Sequence, residues 1–91
     1  MIQIESSYAT FYTGQISVGQ TRIALMSDGD FRNRAHKSIR VRADDGNTGT
    51  ITIGDDYPLV AGESVEIAAE HPSTIQLIAD DDDQVIAFLI Q

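Results

Sequence analysis

Between residues 37 and 54, KSIRVRADDGNTGTITIG, apolar and polar side chains alternate one by one. Ile39, Val41 and Ala43 stand against Ser38, Arg40 and Arg42, and Ile51 and Ile53 against Thr50 and Thr52. A period of two marks a strand with one face on a core and the other in water. Between the two runs, Asp44-Asp45-Gly46-Asn47-Thr48-Gly49 supplies residues that tolerate positive φ or bond their own backbone. The stretch therefore predicts a β-hairpin, and it commits the chain to short strands and tight turns.

The same period recurs on either side. Residues 10–18, TFYTGQISV, read as a strand with Phe11, Ile16 and Val18 as the buried set and Gly14 as a bulge or bend. After a turn at Gly19-Gln20, Ile23 and Leu25 point inward. Residues 27–37, SDGDFRNRAHK, form the longest polar connection and open on strong turn chemistry. Residues 55–59 read as a loop in which Pro58 holds Tyr57 extended. Val65 and Ile67 face the core from the next strand, and Ile75 and Leu77 from the one after the break at Glu70-His71-Pro72-Ser73. A second hairpin is expected to turn on Asp80 to Asp83. The last stretch, QVIAFLIQ, is apolar on both faces, with Val85, Ala87 and Leu89 on one and Ile86, Phe88 and Ile90 on the other. A strand of that kind sits between layers or at a subunit contact, and Ile86, Phe88 and Ile90 are the expected oligomer contact. With about seven or eight short strands and no segment of helical period, the reading is an all-β sandwich or small barrel.

A chain of 91 residues makes one domain, residues 1–91, with residues 1–18 either an N-terminal arm or edge strands. Such a domain buries only roughly 60 to 65% of its unfolded surface. It has no cysteine for a disulfide or a thiolate metal site, so association with its own copies or a larger partner is expected. No apolar run approaches the roughly 18 residues of a membrane span, and MIQIESS lacks the pattern of a signal peptide, which points to synthesis in the cytoplasm and no membrane partner. A net charge of -8 argues against general affinity for nucleic acid. The bases are nonetheless grouped: Arg32, Arg34, Lys37, Arg40 and Arg42 lie together, whereas the chain from Asp55 onward carries acids and no Lys or Arg. That layout orients docking onto a partner of opposite sign, or else marks solvated outward positions of adjacent strands.

Candidate chemistry is thin. Asp80 to Asp83 lacks the interleaved spacing of a calcium loop. His36 and His71 are the only histidines and fall in separate connections, a poor basis for zinc. Ser27, His36 and Asp30 make a nucleophile, base and orienter on paper only, in one polar loop without an oxyanion feature. Phe31 stands alone among the bases, with Tyr8, Phe11, Tyr12 and Tyr57 outside that run, so no stacking platform is expected. The reading is a non-enzyme with no cofactor, no metal and no small-molecule substrate.

From about Arg22 onward the order of features resembles small virion proteins encoded in the structural gene clusters of tailed bacteriophages. The matching residues are Arg34 to Val41, Gly46-Asn47, the run Thr50-Ile51-Thr52-Ile53-Gly54, Pro58-Leu59, Ala61 to Ile67, and the pair Ile75 to Ile78 and Val85 to Leu89. The resemblance implies a β-barrel or jelly-roll-like module that acts as a capsid decoration (cement) protein on the virion surface. It also implies a homo-oligomer, a trimer, with the major capsid protein as partner. A neck or tail accessory protein is the first alternative, and a carbohydrate-binding β-sandwich the second. Docking is assigned to Ile2, Ile4, Tyr8 and Phe11 of the N-terminal segment together with Arg32, Arg34, Lys37, Arg40 and Arg42.

Overall fold

The computed structural model describes residues 11–68 and 71–91. Eight strands run in the order β1 (Tyr12–Val18), β2 (Ile23–Ala24), β3 (Ile39–Ala43), β4 (Ile51–Ile53), β5 (Tyr57–Leu59), β6 (Ser64–Ile67), β7 (Gln76–Ala79) and β8 (Gln84–Ile90), with one 3-10 turn at Pro72–Thr74. Strand β1 pairs with β8, β2 with β7, β3 with β6 and β4 with β5, all antiparallel. The chain thus runs out through β1 to β4, reverses at the tight β4–β5 turn and returns along its own path as a two-stranded ribbon. Successive rungs of the ribbon fall alternately in two sheets, which the pairings β3·β8 and β4·β7 complete. The orders are β1-β8-β3-β6 and β2-β7-β4-β5. That is the jelly-roll form of an eight-stranded β-sandwich.

The alternation decides which side chains meet between the layers. From the first sheet Val18, Ile39, Val41, Ala43, Ile86, Phe88 and Ile90 point inward, and from the second Ile51, Leu59, Leu77 and Ala79, with Leu25, Met26 and Ile75 closing one end. Ile16, Ile23, Ile53, Val65 and Ile67 pack partly buried around them. Each fully buried Ile or Leu stabilises the sandwich by roughly 2 kcal/mol relative to exposure.

Strand positions follow the sequence pattern, but several connections do not. Residues 37–54 do not form a hairpin: β3 pairs with β6 and β8, β4 with β5 and β7, and the two strands lie in opposite sheets. The chain does turn at Asp44, whose carboxylate accepts a bond from the Gly46 N–H at 2.9 Å. Residues 44–50 are nonetheless too many for a two-residue turn, and they cross the roughly 10 Å between stacked sheets instead. Asp80 to Asp83 likewise carry the chain from β7 across to β8 rather than round a hairpin. The hairpin that does exist, β4–β5, falls where a loop was expected. Pro58 is accommodated there because β5 is an edge strand.

Two residues of the expected first strand, residues 10–18, also differ. Phe11 is out of phase with the inward set and 56% exposed. Gly14 is no bulge, since register runs unbroken from Tyr12 opposite Ile90 to Val18 opposite Gln84. A Cβ at Gly14 would lie 2.7 Å from Cζ of Phe88, so the glycine is there to admit that ring.

Candidate protein-docking face

The outward side of the β1-β8-β3-β6 sheet is built by the residues that the core alternation leaves over. Cross-strand register lines them up in rows. Thr13, Leu89, Arg40 and Glu66 form one, and Gln15, Ala87, Arg42 and Ser64 the next. The result is an apolar stripe, Val85-Ala87-Leu89, along the central strand, with hydroxyl and amide groups on one flank and guanidinium groups on the other. Small Ala87 leaves an open depression of about 420 Å³ over the sheet, lined from these rows and by Gly14 and Phe88. Arg40 is bonded to Glu66 at 3.0 Å and Arg42 to Asp45 at 2.8 Å, both in the open. Exposed pairs of this kind hold little free energy, so both arginines can be recruited by a partner's carboxylates at small cost.

Arg32, Arg34 and Lys37 lie elsewhere, in the long β2–β3 connection over the end of the sandwich where β1 begins. Arg32 is a brace. Its Nε and Nη2 donate to the two carboxylate oxygens of Asp30 at 2.9 and 2.8 Å, and its backbone N–H donates to Oδ1 at 2.9 Å. Those bonds, the side-chain ones first, hold the Asp30 pKa down at about 2 against the opposing effect of burial. The Arg32 pKa is raised in turn, chiefly by the same carboxylate. The guanidinium also lies 5.5 Å from the ring centre of Phe88 and 5.6 Å from that of Phe31. Arg34 donates to the Tyr12 hydroxyl at 2.8 Å, and the Tyr12 ring stands edge-on to Phe31 at 5.6 Å and to His36 at 6.2 Å. The backbone N–H of Lys37 donates to the carbonyl of Gln91. Asp30 and His36 are both engaged by Arg32, His36 through Nε2 at 2.7 Å from the Arg32 carbonyl oxygen. The paper triad with Ser27 therefore has no chain of side-chain bonds behind it among the described residues.

No family model, curated protein or solved structure matches the chain.

The five bases thus divide between a sheet face and a loop cluster and do not form one basic surface. Ile86, Phe88 and Ile90 are 0%, 4% and 0% exposed, so the expected oligomer contact is part of the core; the outward row is Val85, Ala87 and Leu89. Ile2, Ile4 and Tyr8 lie outside the described residues, and Phe11 is open to solvent just before β1. Sequence reasoning left Tyr12 apart from the basic run, whereas the fold sets it against Phe31, Arg34 and His36. No local signal places Tyr12 there, because the contact joins β1 to a connection far along the chain. The groove residues Thr13, Gln15, Ala87 and Leu89 were legible only as the outward phase of two strands. Among the described residues no group of three or more His, Asp or Glu is placed to hold a metal ion.

Proposed function

We propose that the chain is a non-catalytic binding module that docks through the outer face of β1-β8-β3-β6. Its occupant is a protein surface, specifically the major capsid protein of a tailed bacteriophage, on which it serves as a decoration protein of the assembled shell. The observation that carries the docking face is the Val85-Ala87-Leu89 stripe flanked by Arg40 and Arg42 on a continuous four-stranded sheet. Apolar centre and charged rim are the ordinary anatomy of a protein contact. The capsid assignment is supported by the feature order shared with phage virion proteins and by the jelly-roll architecture, which viral capsid domains use among others. The trimer drew on the apolar character of both faces of the strand Val85 to Ile90 and on the resemblance; with Ile86, Phe88 and Ile90 inside, contact between copies is sought elsewhere.

The test is re-binding to stripped capsids at low and high salt. Arg40→Glu with Arg42→Glu is expected to slow association roughly tenfold or more at low salt and much less at high salt. Leu89→Glu is expected to reduce final occupancy at both. If both variants stay folded and bind like wild type, this face is not the docking face. Hundreds of copies per virion support decoration of the shell, whereas a single ring's worth supports the neck or tail. A carbohydrate-binding role draws on one observation, Phe31 at 74% exposure beside Tyr12 and Arg34, and would show as saccharide binding that Phe31→Ala abolishes.

A further inference from the structure

A two-layer sandwich has four sheet edges, and natural proteins blunt such edges with shortness, charge or proline. Three of the four are blunted here: β2 is two residues long, β5 is three with Pro58 in the middle, and β6 is four with Glu66. Strand β1 is different. It runs for seven residues, YTGQISV, without a charge or a proline, and among the described residues it pairs on one side only, with β8.

We propose that β1 is a self-pairing edge, along which two copies join antiparallel about a two-fold axis to merge their four-stranded sheets into one. Because β1 is uncharged, pairing opposes no like-charged side chains along the seam itself. Centred on Gln15, the register sets the half-buried Ile16 beside the partner's Gly14, which has no side chain to obstruct it. Charge complementarity selects the antiparallel sense. The connections beyond the C-terminal end of β1 gather Asp44, Asp45, Glu63 and Asp80 to Asp83, and Asp82 Oδ1 lies 3.2 Å from where a Cβ on Gly19 would be. At the other end of β1 stands Arg34, bonded to Tyr12, with Lys37 in the same connection. Antiparallel pairing brings Asp82 to the partner's Arg34 twice over, whereas parallel pairing would stack acid on acid. The inference rests on sheet geometry and holds whether or not the partner is a capsid.

Sedimentation equilibrium of the full chain is expected to show a dimer that weakens as salt rises. Gln15→Cys, in a chain with no other cysteine, is expected to link through a short bifunctional thiol reagent, since directly opposed positions bring Cβ atoms to roughly 4.5–5.5 Å, just beyond the roughly 3.5–4.5 Å of a direct disulfide. Thr13→Cys, opposite the partner's Ser17, is expected not to link. Gln15→Lys, a change at an exposed site, should give a monomer with native circular dichroism. Arg34→Glu should weaken the dimer, and adding Asp82→Lys should restore it. A wild-type chain that stays monomeric overturns the proposal, including one whose β1 amides are protected from exchange by another segment of the same chain. So does a dimer that Gln15→Lys leaves intact, or one in which Thr13→Cys links as readily as Gln15→Cys.

Discussion

Gly14 and Phe88 illustrate how much a single position owes to a distant one. With Phe88 only 4% exposed, its ring has no room to retreat from a Cβ at 2.7 Å. Gly14→Ala is therefore expected to cost about 1–3 kcal/mol in a denaturant melt, as overpacked cores do, and Phe88→Leu in the same chain should recover part of it. From the sequence, Gly14 stood out as unusual within a strand, but its reason lay in a ring contributed from near the C-terminus. Asp30 behaves similarly in that its partner, rather than its own exposure, sets its chemistry. Its pKa is lowered from 3.8 to about 2, so the bond to Arg32 contributes stability that is complete above about 4 and is lost as pH falls toward 2. Asp30→Asn should then be less stable than wild type at neutral pH, and the gap should close on acidification through that window. Urea melts across the range read it directly, and a gap independent of pH would remove the ion pair as its source.

At the scale of elements, alternation of side chains was legible because it is a local property: it located β3, β4, β7 and β8 and named the inward faces of the first three, whereas β8, apolar on both faces, gave no local sign that Ile86, Phe88 and Ile90 are the inward set. Pairing is not local. The turn chemistry of Asp44 to Gly49 is shared by hairpins and by crossings between sheets, and what distinguishes them is who meets the loop afterwards. Here Asn47 does the tying, its Oδ1 accepting from the Val85 N–H at 2.8 Å and its Nδ2 donating to the Val85 carbonyl at 3.0 Å. Gln84, 2% exposed, completes the joint by accepting from the Gly49 N–H at 2.8 Å and donating to the Asp82 carbonyl at 2.7 Å. Asp80 accepts from the Thr50 N–H at 2.8 Å, a structural use for part of the acidic run. The Val85 carbonyl keeps a second bond, from the Asp44 N–H, but the Val85 N–H has no such reserve. Asn47→Ala is accordingly expected to destabilise by about 1–3 kcal/mol, the cost of stranding a part-buried donor. Hydrogen exchange should show the Val85 amide losing protection first.

Over the whole molecule, the sandwich was legible from the number and brevity of the strands, whereas the charge layout was only half so. Grouped bases in the sequence became two separate places, one on a sheet face and one at an end, because β3 left the loop cluster and entered the sheet at Ile39. Part of the acids fared the other way, since the connections that carry Asp44, Asp45, Glu63 and Asp80 to Asp83 are far apart in sequence yet meet at one end. The ribbon has a further consequence, in time rather than space. Strand β8 is the central partner of both β1 and β3, and Gln91 exchanges backbone bonds with Ser38. Strand β8 is thus the one that the first sheet is assembled on, and little of the jelly roll can close before it has been made. Contacts this distant in sequence make for slow folding. Until β8 arrives, β1 and β3 wait with apolar faces uncovered, so the growing chain is at its most aggregation-prone before β8 emerges.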